Sequence, residues 1–353
     1  MDHATVRVYE ERGPEWAARR RPVRRAEARA FARRVETKSL RVDLGCGAGR
    51  YTADLGNPVV GLDATRAMLD LCRVAVPSAS LVRADLEALP FGRNSVHGAW
   101  ANMSYLHIPS VRLPMALADL HRSLVVGAPL DLQMLGGQYE GDHLPQDDVG
   151  GRFFASWTRE RLRDVLIGAG FDIDVVEDHD EVVRARATRA RSLPDFVNAD
   201  MRLLVAGLNP SLFAADAGVG YARPGNRFWP AAVQAGLVSE DRDPRAALFD
   251  HGIGMTDIVK RSTASAADLE PHEYRAGMGR IERLVRWLQP GAVCFVGLSG
   301  WRAVFDRGAA AGLQPRDLAG RRVYLMPSTS GLNAHARMAD LVAHLGTAGA
   351  LPR

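Results

Sequence analysis

The sequence predicts an α/β fold in two domains, each built around a mostly parallel sheet. Three observations carry this reading. The chain has 353 residues, enough for two units that each bury their own core. Short apolar runs alternate with stretches of helical periodicity, the rhythm of strands joined by crossover helices. That rhythm lapses around 186–200, "RATRARSLPDFVNAD", and starts afresh at "MRLLVAGL". The expected division is a first domain over 1–188, a linker over 189–200 and a second domain over 201–353.

The elements follow in order. Residues 16–37, "WAARRRPVRRAEARAFARRVET", read as a basic helix interrupted at Pro22, with Trp16, Val23, Ala30 and Phe31 as inward contacts. "SLRVDLG", "PVVGLD", "SLVRADL" and "SVHGAWAN" are strands of a doubly wound sheet. "SWTRERLRDVLIGAGFDIDVVED" is a helix closed by Gly170 with a strand behind it. In the second half "LLVAGL", "AVCFVGL" and "RRVYLMP" are strands, and "NRFWPAAVQAGL", "PHEYRAGMGRIERLVRWLQ" and "HARMADLVAHL" are helices.

Composition narrows the function classes. The chain is 47% hydrophobic and 24% charged, with no apolar run of bilayer length and no signal-peptide core. A cytoplasmic protein without a membrane partner is expected. Cys46, Cys72 and Cys294 are far apart and form no C-x-x-C pair, which argues against a zinc site or a disulfide framework. Three thiols also fall short of the four an iron–sulfur cluster takes. Of 45 basic residues only Lys38 and Lys260 are lysines, so the arginine excess is not in itself a sign of nucleic-acid binding.

"VDLGCGAGRY" sets Asp43 on a strand and Gly45, Cys46, Gly47 and Gly49 in the turn after it. Glycines there let a ligand approach the backbone closely. The spacing is G-x-G-x-G, not the G-x-G-x-x-G of dinucleotide binders. Asp63 ends the second strand, where a carboxylate can accept from ribose hydroxyls, and Asp85 follows the third. Over about residues 35–185 this pattern resembles the class I S-adenosylmethionine-dependent methyltransferases. The resemblance implies a Rossmann-like methyltransferase fold, S-adenosylmethionine as cofactor, and Asp43, Gly45, Cys46, Gly47, Gly49, Asp63 and Asp85 as its binding set. A nicotinamide site and a cofactor-free copy of the fold stay open. The methyl acceptor is unknown. Neither Cys46 nor Cys72 follows a proline, as a cytosine-C5 methyltransferase needs. "ANMSYLH" stands where an exocyclic-amine enzyme carries Asn/Asp-Pro-Pro-aromatic. DNA-base methylation by these routes is disfavoured. Asn102, Tyr105 and His107 are left to face a substrate.

In the second half the strand "LLVAG" runs into Leu208-Asn209-Pro210-Ser211, and "VYLM" runs into "PSTSGLNAHA". Both turns fall at the carboxyl edge of the sheet, where open α/β folds hold ligands. Four motifs in order, "GLNPS", "PGNRFW", "GMTDIVKRST" and "MPSTSGL", resemble the mismatch-specific uracil-DNA and thymine-DNA glycosylases across about residues 201–346. The resemblance implies a uracil-DNA glycosylase-like fold with a central parallel sheet. It makes double-stranded DNA carrying uracil or a mismatched base the partner, and base flipping the mode of access. It makes Asn209 the group holding the attacking water, so Asn209→Asp is expected to retain or raise excision. Gly207, Leu208, Pro210, Ser211 and Tyr221 would form the base pocket, with Tyr221 stacking on the base. Ser328 and Ser330 would hold phosphates, and Leu332, between Gly331 and Asn333, would enter the duplex. Ser211 stands where the family carries glycine, which would alter base range or slow the reaction. Lys260 is the lone lysine of this half, at a position the family does not keep basic, so no amine nucleophile is expected and the glycosylase would be monofunctional. No metal is expected, and the glycosylase half should need no cofactor. The rival reading is a methyltransferase whose C-terminal half only binds nucleic acid.

Overall fold

A computed structural model describes residues 1–145 and 147–352. The chain forms two compact units: residues 1–167 with 171–190, and residues 168–170 with 191–353. Residues 191–200, expected as a linker, are built into the second unit, where Leu193, Asp195 and Val197 are buried.

The first unit opens with helices α1 (His3–Ala18) and α2 (Arg25–Arg34). Asp2 caps α1 by accepting from the Thr5 N–H at 2.7 Å. The expected interruption falls at 19–24 and includes Pro22. Because α2 starts at Arg25, its inward face is Ala28 and Phe31, three residues apart. Val23 and Ala30, expected inside, are exposed. Full burial of Phe31 against Trp100 and Tyr51 contributes about 2–3 kcal/mol.

Strands β1 (Arg41–Leu44), β2 (Val59–Asp63), β3 (Ser80–Arg83), β4 (Gly98–Asn102) and β5 (Pro129–Gly136) pair in parallel in the order β3-β2-β1-β4-β5. Helices α3 (Arg66–Ala75) and α4 (Leu113–Ser123) cross between them. The short β6 (Glu140–Gly141) and β7 (Phe154–Trp157) add to the end of β5. After α5 (Arg159–Gly168), β8 (Phe171–His179) and β9 (Val182–Arg189) form an antiparallel hairpin whose second strand joins β5. The sequence reading finds β8 but not β5 or β9. Both carry polar residues at alternate positions, and two of those, Asp131 and Gln133 on β5, are buried. Asp131 is paired there with Arg34 and Gln133 accepts from Arg184.

The second unit stacks β11 (Ile253–Asp257), β10 (Leu203–Gly207), β12 (Ala292–Val296) and β14 (Arg322–Met326) in parallel in that order, with β13 (Gly312–Leu313) antiparallel at the edge. Helices α6 (Leu212–Ala217), α7 (Phe228–Gln234), α8 (Pro244–His251), α9 (Pro271–Leu288), α10 (Ser299–Val304) and α11 (Met338–Gly349) surround it. Its core packs Phe228, Trp229, Leu237, Leu341 and Leu345 on the strand residues Leu203, Val205 and Cys294. In each sheet the first strand has its successors on both sides, so strand order reverses beside β1 and beside β10. Crevices at such reversals are where open α/β sheets take ligands. No helix among the described residues is long and apolar enough to cross a membrane.

Candidate functional sites

At the carboxyl edge of the first sheet lies a cavity of about 290 Å³, lined by Asp43, Gly45, Cys46, Gly47 and Asp63, with Tyr9 and Trp16 from α1 and Met68 and Leu86. The glycines of its turn do different work. A Cβ on Gly45 would stand 2.4 Å from the Ser104 Cβ, and one on Gly49 2.7 Å from the Cys72 Sγ, so both make room for packing. Gly47, at φ +54°, has only the Trp16 ring near its missing Cβ, at 3.7 Å, and so lies open to a ligand. Asp63 is fixed by the Gly47 N–H at 3.0 Å and by the Thr65 N–H and hydroxyl at 3.0 and 2.9 Å, which leaves acceptor capacity free. Burial raises its pKa despite these donors. Asp43 accepts from the Thr52 hydroxyl at 2.6 Å, and burial pushes its carboxyl up to about 7.

Asp85 is placed differently from the other expected ligands. Leu86, not Asp85, lines the cavity. Both oxygens of the Asp85 carboxylate accept from the Met1 ammonium at 2.8 Å, an ammonium that Glu87 also pairs, and Asp85 accepts the Glu87 N–H at 2.9 Å. Burial opposes its charge, but these donors outweigh it and hold its pKa low. Of the three residues left to face a substrate, Asn102 and His107 line the cavity and Tyr105 is fully buried in the core. The His107 Nδ1–H donates to the Phe153 carbonyl at 2.7 Å, so its Nε2 accepts from the Tyr9 hydroxyl at 3.0 Å. Burial pushes His107 down to about 4, a neutral ring at physiological pH.

In the second unit Asn209 follows β10 at the crevice beside β11. Its Nδ2 donates to the Pro210 carbonyl at 3.2 Å, the Arg261 carbonyl at 3.1 Å and Thr263 Oγ1 at 2.8 Å. The Thr263 hydroxyl gives its own proton to the Ser265 carbonyl at 2.7 Å, so all three partners are acceptors. The nitrogen is committed, and Oδ1 is left as the atom of the amide that can accept.

Gly207 is closed in by polar oxygens. A Cβ there would stand 2.4 Å from Asp257 Oδ1 and 2.9 Å from the Tyr221 hydroxyl. Tyr221, at φ +58°, stacks on Phe228 with ring centroids 4.2 Å apart, which covers one of its faces. Its hydroxyl is buried without a hydrogen-bond partner among the described residues. Leu208 and Pro210 anchor the turn through carbonyls that accept the Val259 N–H at 2.9 Å and the Thr263 N–H at 3.2 Å. Ser211 caps α6: its hydroxyl accepts the Ala214 N–H at 3.2 Å. The hydroxyl expected to alter the pocket is engaged in starting a helix.

The loop after β14 is a second edge element. Ser328 and Ser330 accept the N–H groups of Ser330 and Leu332, both at 3.3 Å, and the Asn333 amide donates to the Ser328 carbonyl at 2.8 Å. Leu332 stands 87% exposed at the tip. Gly331 rests on the 221–229 strap, where a Cβ would lie 2.8 Å from the Gly225 carbonyl oxygen. Arg227 ties strap and loop together. Its backbone N–H donates to the Thr329 carbonyl at 3.0 Å, and its guanidinium donates to the carbonyls of Ser330 at 3.1 Å, Asn333 at 2.8 Å and Ala336.

Two further residues of this site were not singled out in the sequence. Asp257 ends β11 against Gly207, and burial pushes its carboxyl up to about 6 in spite of Lys260 and Arg280. Its place at a strand end inside "GMTDIVK" is the only signal the sequence offers. Asp195, in the segment read as linker, is buried between the Lys260 ammonium at 2.8 Å and the Arg280 guanidinium at 2.6 Å. Among the described residues no group of three His, Cys, Asp or Glu side chains is placed to hold a metal ion.

Two polar sites at the carboxyl edges of two α/β sheets are the layout of a two-domain α/β enzyme. Residues 194–345 match the family model of the uracil DNA glycosylase superfamily, and residues 42–127 match that of a methyltransferase domain. The chain thus joins a domain similar to methyltransferases to a domain similar to the uracil DNA glycosylase superfamily. Similar solved structures include a SAM-dependent methyltransferase from Methanosarcina mazei, 18% identical over 46% of this chain and 97% of that one, with a TM-score of 0.41. Another is an S-adenosylmethionine-dependent methyltransferase from Mesorhizobium loti, 21% identical over 46% of this chain and 96% of that one, with a TM-score of 0.38.

Proposed function

We propose that the C-terminal domain is a monofunctional DNA glycosylase that hydrolyses the N-glycosidic bond of uracil opposite guanine, a step of base-excision repair. The observation that carries the reading is the seating of Asn209, whose committed nitrogen leaves Oδ1 to hold a water. Departure of the base as an anion leaves an oxocarbenium-like sugar, so a weak but positioned nucleophile suffices. The water oxygen bonds to the sugar carbon as the carbon–nitrogen bond breaks, and the water's proton leaves with the base or solvent. The exposed Leu332 suits a wedge that fills the vacated stack, and Tyr221, braced on Phe228, suits a ring against which the extruded base stacks. The ion pair of Lys260 with Asp195 favours hydrolysis over an amine nucleophile, because a buried, paired ammonium does not attack.

The N-terminal domain is read as a methyltransferase using S-adenosylmethionine. The open face of Gly47 and the spare acceptor capacity of Asp63 fit that cofactor. When bound it supplies an electrophilic methyl group. The cavity residues hold and orient it, and the neutral His107, with its free lone pair taken by Tyr9, favours a positioning role for that ring over proton abstraction.

The test is single-turnover excision from duplexes that differ only in carrying G·U, A·U or G·T, with wild type beside Asn209→Ala. Uracil release from G·U, lost in the variant, with strand breaks appearing only after alkali, is the expected result. No release from any duplex, with DNA binding intact, would turn the second domain into a targeting module for the first.

A further inference from the structure

The N-terminal cavity is lined by three guanidinium groups, Arg20, Arg50 and Arg152. Arg152 is paired with Asp147 and donates to the Tyr9 hydroxyl at 2.6 Å. Arg20 is held by Asp148, with Nη1 at 2.8 Å from the carboxylate. The cavity's carboxylates are likewise engaged: Asp43 by Thr52, Asp63 by Gly47 and Thr65, and Asp147 by Arg152. Arg50 has no carboxylate partner and no hydrogen bond among the described residues. Its contact is with Trp16, whose ring centroid lies 4.4 Å from the guanidinium carbon. Trp16 is itself braced by Tyr9, edge to face at 5.4 Å, and by Arg20 at 5.5 Å.

A guanidinium cannot shed its proton in a protein, so a part-buried one needs compensation. Burial holds the Arg50 pKa below the ordinary guanidinium value, the mark of a cation short of a counter-charge. Stacking on an aromatic face offsets part of that cost, and it leaves the N–H edge of the plane free. A free guanidinium edge held in a fixed plane is the geometry that takes a carboxylate through two parallel hydrogen bonds. Arg50 also directly follows Gly49, so it belongs to the turn that carries the open Gly47.

We propose that Arg50, held over the Trp16 ring, is the carboxylate-binding residue of the N-terminal cavity. This rests on the cofactor reading of the same cavity. The carboxylate is that of the cofactor's aminoacyl tail or that of the methyl acceptor, and the two sources separate experimentally. The full-length chain is titrated by calorimetry with S-adenosylhomocysteine and with 5′-methylthioadenosine, which keeps the adenosine and lacks the amino-acid tail. Wild type, Arg50→Gln and Arg50→Lys are compared. Benzoate is then titrated into protein saturated with S-adenosylhomocysteine.

If the tail is the partner, Arg50→Gln weakens S-adenosylhomocysteine roughly 10- to 100-fold, Arg50→Lys weakens it less, and 5′-methylthioadenosine is unmoved. The unmoved ligand also reports that the variant is folded. If the acceptor is the partner, both nucleosides bind the variant as they bind wild type, and benzoate binding is lost. Unchanged affinity for all three probes overturns the proposal while leaving the cofactor reading in place. Wild type that binds neither nucleoside removes the cofactor reading and the proposal with it.

Discussion

Replacing Asn209 by Asp is the sharpest perturbation of the C-terminal site. Family resemblance leads to the expectation that a carboxylate here retains or raises excision. The surroundings of the side chain reverse it. The atom that replaces Nδ2 would face the carbonyls of Pro210 and Arg261 and a Thr263 oxygen whose proton is already given to Ser265. The two N–H donors shared among these three acceptors are lost, about 2 kcal/mol at about 1 kcal/mol each, or roughly thirtyfold in rate if the seat is essential. Repulsion between the carboxylate and two carbonyl oxygens adds to that. A protonated acid recovers one contact, so the pKa at position 209 in the variant rises above the usual carboxylate range. The deficit therefore shrinks in acid and grows as pH climbs through that raised value. Single-turnover excision from a G·U duplex between pH 5 and 8.5 measures it. A variant as fast as wild type at pH 8 would refute the reasoning, because the side chain would then work from another position.

Three more outcomes are expected. Arg227→Ala removes the guanidinium contacts to the Ser330, Asn333 and Ala336 carbonyls and loosens the Leu332 loop. Excision from duplex G·U should fall roughly tenfold or more while single-stranded uracil is processed as before, since a wedge matters only in a stack. Asp195→Ala leaves the Lys260 and Arg280 charges without their buried partner and should cost about 3–5 kcal/mol, read from urea unfolding. Asp257 has a folded pKa of about 6 against 3.8, so the native state holds a proton that the unfolded chain has lost, and stability declines as pH rises between those values. Asp257→Asn should flatten that decline and stabilise the domain at pH 7 by about 2–3 kcal/mol, as unfolding curves at pH 4 and pH 7 would show.

What the sequence determines here is whatever depends on spacing along the chain. Short apolar runs bounded by turn residues reveal β1, β2, β10, β12 and β14, and because parallel strands align their carboxyl ends, the turns behind them fall at one edge of each sheet. Asn209, Gly47, Asp63 and the Leu332 loop are legible for that reason: each sits at the carboxyl end of a strand or in the turn behind it. The second strand of the C-terminal sheet, β11, is visible only as a motif, and β5 and β9 are hidden because their polar residues find partners across the sheet. Burial of Asp131 depends on Arg34, which lies 97 positions away and which no local pattern connects to it.

Tertiary structure decides the state of each polar atom. Asn209 presents its oxygen because Arg261 and Thr263, more than fifty residues on, hold its nitrogen. Asp257 titrates near 6 because it closes against Gly207 from a neighbouring strand. Lys260 is paired in the interior with Asp195, which the sequence reading leaves in a linker. Asp85, which spacing places behind β3, has its carboxylate engaged by the Met1 ammonium. Charge and hydrogen bonding are set by what lies within about 3 Å in space, and a sequence orders residues only along the chain.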